Sequence, residues 1–184
     1  MKKTLLLIIT MFVLVSTCFA NSELPEQPSS KTTISILYSD TTLDTGIKTK
    51  QLAKTQILGS TVEKFSSKYN MLLDDKHIQI LYESGTQEIS TVERRDIISS
   101  FSDTPTDYIV IIDVLPLTAL SVGNFAPYAY MTTMQLKIID VKNDKYLYNG
   151  KIFYKPKASA SLKGCYGELN KQLNTVLLKY FPLN

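Results

Sequence analysis

The stretch Asp107-Tyr108-Ile109-Val110-Ile111-Ile112-Asp113-Val114-Leu115 is aromatic, β-branched or otherwise apolar at every position after the first except Asp113. A half-buried strand alternates apolar and polar residues, because successive side chains point to opposite faces. This run does not alternate, so both of its faces are expected to be covered, as in a central strand with helices on each side. That reading selects a single α/β (α+β) domain built on a mixed sheet. It also isolates one carboxylate, Asp113, inside an apolar strand. The same four letters recur in Ile138-Ile139-Asp140-Val141, which raises the question of a carboxylate pair.

Working outward, Thr32 to Tyr38 alternates as a strand, with Ile34, Ile36 and Tyr38 on one side. From about Thr49 to Tyr69 the period lengthens, and Leu58, Val62, Phe65 and Tyr69 form one helical stripe stopped by Asn70. His77 to Glu83 (HIQILYE) reads as a second strand, ending at Ser84-Gly85. Ser90-Thr91-Val92-Glu93 matches a capping box, predicting a helix to about Ser102 with Val92, Ile98 and Phe101 inward. Asp103-Thr104-Pro105 ends it. After the central strand, Pro116 stops regular pairing and residues 117–127 read as a loop. Tyr128–Asp140 and Lys145–Lys155 form a hairpin around Val141-Lys142-Asn143-Asp144. A helix from about Cys165 to Phe181 closes the chain, with Leu169, Leu173, Val176, Leu177 and Tyr180 inward. The predicted order is β-α-β-α-β-β-β-α, parallel early and antiparallel in the hairpin, with helices flanking the sheet.

Residues 1–20 have the form of a secretory signal: Lys2 and Lys3, an apolar run from Leu5 to Val15, then Cys18 and Ala20 at −3 and −1 of a small-residue site. The apolar run is shorter than the roughly 18–20 residues a bilayer span requires, so cleavage after Ala20 is expected and no integral span remains. Val15-Ser16-Thr17-Cys18 resembles a lipobox, but Thr17 stands where Gly, Ala or Ser is usual, which favours secretion over lipidation at Cys18. Residues 21–31 are polar and rich in Pro and Ser, a flexible linker ahead of a domain at 32–184. The expected location is secreted or periplasmic. Removing residues 1–20 leaves 18 basic against 17 acidic residues, so global charge argues for no nucleic-acid partner. The charge is uneven, however. Residues 21–136 carry nine Lys or Arg and 14 Asp or Glu, whereas residues 137–184 carry nine Lys and three Asp or Glu. A basic carboxyl-terminal third suits an anionic envelope surface such as a cell-wall polymer. The plainer account is that lysines guard a hairpin against edge-to-edge pairing.

Little else points to chemistry. His77 is the only histidine, placed by this reading at a strand start beside Asp74 and Asp75, with no second His or Cys to make a metal site. A serine or cysteine mechanism would have to use it, and there is no GxSxG elbow. Cys165, in Lys-Gly-Cys-Tyr-Gly, reads better as a small packing residue than as a nucleophile. Phosphate-binding glycine motifs are absent, so no cofactor is expected. A catalytic pair of Asp113 and Asp140 would need the two strand ends to coincide, which only parallel neighbours allow. Asp140 has a sufficient task in starting the hairpin turn. Asp113 is the functional suspect: a buried carboxylate must be paired, hydrogen-bonded or neutralised. A ligand or partner surface is expected where aromatics and lysines interleave, at Tyr128, Tyr130, Lys145, Tyr146, Tyr148, Lys151 and Lys155. Period 2 places Tyr146 and Tyr148 on one face.

Asp107-Tyr108-Ile109-Val110, and Leu136 to Tyr148 with its Ile-Ile-Asp-Val-Lys-Asn-Asp-Lys-Tyr-Leu-Tyr, resemble a strand and hairpin of bacterial envelope proteins. Similar elements occur in the amino-terminal domain of TolB, the CsgG curli-secretion lipoprotein and LpoB-type activators. Asp144 stands where that pattern has a turn glycine. The resemblance implies a non-catalytic envelope adaptor or assembly factor and names no partner; an envelope protein or an anionic cell-wall polymer is expected. The alternatives are a small secreted hydrolase using Asp113 or His77, and a small-ligand carrier using the tyrosine surface.

Overall fold

The computed structural model describes residues 31–40, 46–86, 88–120, 129–154 and 161–184. The expected signal, nearly all of the expected linker, Tyr128 and Lys155 lie outside the described residues. The first strand, β1 (Thr33–Ser39), leads into α1 (Ile47–Ser66), then β2 (Asn70–Leu73) and α2 (Asp75–Glu83). A 3-10 turn at Ile89–Thr91 precedes α3 (Arg94–Ser100). Then come β3 (Tyr108–Val114), the short β4 (Thr118–Leu120), β5 (Ala129–Asp140), β6 (Lys145–Tyr154) and α4 (Leu162–Tyr180).

The six strands make one mixed sheet. β1 pairs parallel with β2 on one side and β3 on the other, β3 pairs antiparallel with β5, and β6 lies on β5's outer side. The sheet separates two apolar layers. Ile34, Ile36, Val110, Ile112 and Leu136 pack on one face with Ile57 and Phe65 of α1 and Leu169 and Leu173 of α4. Leu37, Ile109, Ile111 and Ile139 pack on the other with Ile78 and Leu81 of α2, Ile89 of the 3-10 turn and Ile97 of α3. β3 is therefore covered on both sides, as its unbroken apolar run predicts, and it is buried from Ile109 to Val114.

Several local readings are corrected. HIQILYE is not a strand but most of α2. Asp74 accepts the His77 amide at 3.0 Å and so starts a helix, and His77, Ile78 and Leu81 make its buried stripe. Gly85, at φ +96°, takes the left-handed conformation just beyond its end. The second strand is instead Asn70–Leu73, too short for alternation to reveal. The Ser90–Glu93 capping box does not form: Glu93 occupies the N-cap of α3 without a side-chain hydrogen bond. The amide of Ser90 is engaged by Asp113 instead. Part of the expected loop, Thr118–Leu120, adds to the beginning of β5 as β4. The last helix begins earlier than expected, because Ser161 caps it by accepting the Gly164 amide at 3.1 Å.

The hairpin turn forms as expected around Asp140. Its Oδ1 accepts the Asn143 backbone amide at 3.0 Å and its Oδ2 accepts the Asn143 side-chain amide at 2.7 Å. Burial pushes this carboxyl up, but the Asn143 bonds, with Lys145 and Lys142, outweigh burial and hold it below its ordinary value. A depressed folded pKa stabilises the fold above the unfolded value of about 3.9, and that contribution fades as pH falls through the folded value. Asn143→Ala is expected to raise the Asp140 pKa in a carboxyl NMR titration and to move the onset of acid unfolding to higher pH. An unchanged Asp140 titration would refute this account of the turn.

Candidate functional site

In an open α/β sheet, a crevice forms at the carboxyl ends of neighbouring strands whose connections leave on opposite faces. Here β1 reaches β2 through α1 on one face, while β2 reaches β3 through α2 and α3 on the other. That rule points to the ends of β1 and β3, where Ser39 lies opposite Asp113 in the parallel ladder.

Asp113 is fully buried. Its Oδ2 accepts the Ser90 backbone amide at 3.2 Å, and its Oδ1 has no hydrogen-bond partner among the described residues. On the same face, one step along β5, Lys137 is only 6% exposed and donates to the Val92 carbonyl at 3.1 Å. Burial pulls the Lys137 ammonium below its ordinary pKa, while Glu93 and Asp113 oppose that shift. The two side chains thus hold the 3-10 turn, Asp113 at the amide of its middle residue and Lys137 at the carbonyl just beyond it. Next to Asp113, the Ser39 and Tyr82 hydroxyls are 2.6 Å apart. On the opposite face, the hydroxyl of Tyr38 is buried beside Asp40, and that of Tyr166 is buried without a hydrogen-bond partner among the described residues. Burial raises the pKa of Tyr38 strongly, with Asp40, Tyr166 and Asp113 adding to it. Burial pushes Tyr166 up to about 12, with smaller contributions from Cys165 and Asp40. Buried groups with unspent hydrogen-bonding capacity call for an explanation.

The aspartates are not brought together. Asp140 lies opposite Tyr108 and Asp113 opposite Gln135, at the two ends of an antiparallel ladder. His77 is neither at a strand start nor on the surface: it is 4% exposed in the first turn of α2. Its Nδ1 is 2.6 Å from Asp74 Oδ2, and its ring stacks on Phe101 at 3.9 Å between centroids. Cys165 is buried, donates to the Tyr130 carbonyl at 3.2 Å, and has its thiol pKa raised by burial. Among the described residues, no group of three or more His, Cys, Asp or Glu side chains gathers as metal ligands. Nor is any helix there long and apolar enough to cross a membrane.

The tyrosine surface is divided by a register shift in β6. Tyr146 pairs with Ile139 and Tyr148 with Ile138, so the strand carries an extra residue, Leu147. Tyr146 consequently packs on the α2–α3 side and Tyr148 on the α1–α4 side, against the expectation of a shared face. The Tyr146 ring lies 5.4 Å from the Arg94 guanidinium and 5.7 Å from the Lys137 ammonium. It borders a cleft of about 440 Å³ with Glu93, Arg94, Arg95 and Asp96. Tyr148 faces Tyr180 at 6.4 Å. Tyr130 is half-buried, and Lys145 and Lys151 are exposed. Sequence reasoning missed Lys137, Ser39 and Tyr82. Lys137 carried a usable signal, a lone charge in an apolar run like that of Asp113; Ser39 and Tyr82 carried none.

No family model matches the chain, and no curated protein matches it in sequence. Solved structures align with it at low similarity. Lipoprotein GNA1162 from Neisseria meningitidis aligns over 81% of this chain and 97% of its own, at 13% identity and a TM-score of 0.46. TolB from Acinetobacter baumannii aligns over 83% of this chain and 29% of its own, at 10% identity and 0.41. The LpoB carboxyl-terminal domain from Escherichia coli aligns over 71% of this chain and 87% of its own, at 11% identity and 0.40. TolB and an LpoB domain, both named in the sequence resemblance, are among these aligned structures. Such identities concern the path of the chain and not its chemistry.

If Asp113 and Lys137 jointly hold the 3-10 turn, their replacements will not add. Asp113→Asn and Lys137→Met are each expected to cost about 1–3 kcal/mol in urea denaturation. The double variant should cost less than their sum by roughly 1 kcal/mol. Strict additivity would show that the two charges act independently.

Proposed function

We propose that this chain is an extracytoplasmic, non-catalytic binding or accessory domain of the bacterial cell envelope. It engages an anionic partner, an envelope protein or a cell-wall polymer, through the outer side of the β5–β6 hairpin. The observation that carries the reading is the composition and exposure of β6. Lys145, Asn149, Lys151 and Phe153 are exposed on this edge strand, Phe153 at 51%, and the strand contains no acidic residue. A basic edge with an apolar anchor suits an acidic partner, since charge of one sign steers encounter and the buried ring adds affinity.

The extracytoplasmic part rests on the signal-like start, and the envelope part on the resemblance of the central strand and hairpin. The non-catalytic part rests on how the reactive side chains are held. His77 is locked by Asp74 and Phe101, Cys165 is buried with a raised pKa, and Asp113 serves the backbone of Ser90. The hydrolase alternative lacks a hydrogen bond or ion pair joining Asp113 to His77 among the described residues. The carrier alternative loses its shared tyrosine face to the bulge in β6.

A photo-crosslinking residue at position 151 is expected to capture an envelope component from the native cell envelope. Lys145→Glu with Lys151→Glu should weaken that capture at least about tenfold, the free energy of roughly one surface lysine at an anionic surface being near 1 kcal/mol each. Capture that is unaffected by the double variant would leave the lysines as guards of the strand edge and overturn the proposal.

A further inference from the structure

The hydrogen-bond pattern of the sheet fixes which main-chain groups β6 leaves open. The Val141 amide donates to the Asp107 carbonyl at 3.1 Å, and the Leu115 amide to the Thr133 carbonyl at 2.9 Å. Odd-numbered residues of β5 therefore turn their main-chain groups to β3, and even-numbered ones turn theirs to β6. Met134, Leu136 and Ile138 pair with Ile152, Gly150 and Tyr148, so these three residues of β6 are bonded inward. The N–H and C=O groups of Asn149, Lys151 and Phe153 consequently point away from the sheet. Among the described residues, no strand pairs with β6 on that side. Asn149, Lys151 and Phe153 lie opposite Lys137, Gln135 and Thr133, which share the α2–α3 face of β5 with Ile139. All three are exposed there.

Charge decides what suits this edge. Lys145 and Lys151 are exposed, β6 holds no acidic residue, and Lys151 has no salt bridge among the described residues. A second copy of β6, laid on the edge in either direction, would bring only lysines to lysines. An acidic strand meets no such barrier, because the charge that repels a copy attracts it. The lysines thus guard the edge selectively and do not close it. Alternate residues of an added strand share one face, about 7 Å apart. An acidic residue on that face meets Lys151, and an apolar residue two positions away meets the exposed ring of Phe153. A polyanion without a peptide backbone satisfies the lysines but leaves the open N–H and C=O groups unpaired.

We propose that β6 is a strand-addition edge for an acidic polypeptide segment in extended conformation. The segment pairs its main chain with Asn149, Lys151 and Phe153, places a carboxylate beside Lys151 and rests an apolar side chain on Phe153. This rests on the reading of β6 as a basic docking edge, and it narrows the anionic partner to a protein strand.

Amide hydrogen exchange of the purified chain tests the pairing. The probe is a blocked peptide of about ten residues, alternating threonine and glutamate with one central glutamate replaced by phenylalanine, added at about 1 mM. The Asn149, Lys151 and Phe153 amides should slow at least about tenfold relative to those of Gly150 and Ile152, which are already paired. Only alternate amides of an added strand face its neighbour. N-methylation of the threonines, or of the other residues, should therefore abolish protection in one case and spare it in the other. Asn149→Pro removes an outward donor while keeping both lysines and Phe153, and should weaken the peptide at least about tenfold. The N-methylated pair decides even if that variant fails to fold. Absent protection, protection that survives Asn149→Pro, or loss with both N-methylated peptides would each overturn the proposal. If photo-capture at position 151 still depends on the lysines, only strand addition falls and the basic docking edge stands. Capture indifferent to the lysines overturns both, and a captured component containing no polypeptide overturns strand addition alone.

Discussion

A buried carboxylate and a buried ammonium share one face of the central sheet, and the layer above is attached where their polar demands are met. Neither Asp113 nor Lys137 can remain in an apolar layer without polar partners. The backbone between α2 and α3 supplies them, through the Ser90 amide and the Val92 carbonyl. A short irregular segment is thereby pinned at both ends over β3 and β5. The consequences spread from there: α3 begins at Arg94, and Tyr146 lies between the Arg94 and Lys137 cations. The price is one oxygen of Asp113 left without a partner among the described residues.

The sheet also separates three kinds of surface. At the carboxyl ends of β1 and β3, buried hydroxyls and the Asp113 carboxylate collect from both faces. Along β6, exposed lysines and Phe153 offer a basic edge. Along β2, uncharged backbone and two leucines lie open. Chain reactivity is absorbed by structure at each place where the sequence seemed to offer it: His77 stacks and caps, Cys165 packs, and Asp140 shapes a turn.

The legible parts were those with long, consistent periodicity. Tyr108–Val114 reads as a covered central strand from its composition alone, and the hairpin reads from two alternating runs around a turn. HIQILYE misled because seven residues fit period 2 and period 3.6 about equally, and a single capping contact from Asp74 decided for the helix. Ser90–Glu93 misled for another reason: a correct local signal lost to a long-range partner when Asp113 took the Ser90 amide. The division of Tyr146 from Tyr148 could not be read at all, since one extra residue in β6 reverses the side each takes.

By itself, the amino-acid sequence determined the fold class, the parallel-then-antiparallel order of the sheet and the unusual standing of Asp113, because apolar periodicity and lone charges are local properties. Only the tertiary structure decided what Asp113 does. Whether a buried carboxylate pairs with a base, a metal or a backbone amide depends on which distant segment is packed over it. Ser90 and Lys137 lie far from Asp113 along the chain, and only the folding of β5 beside β3 and the docking of the 3-10 turn on that face bring the three together.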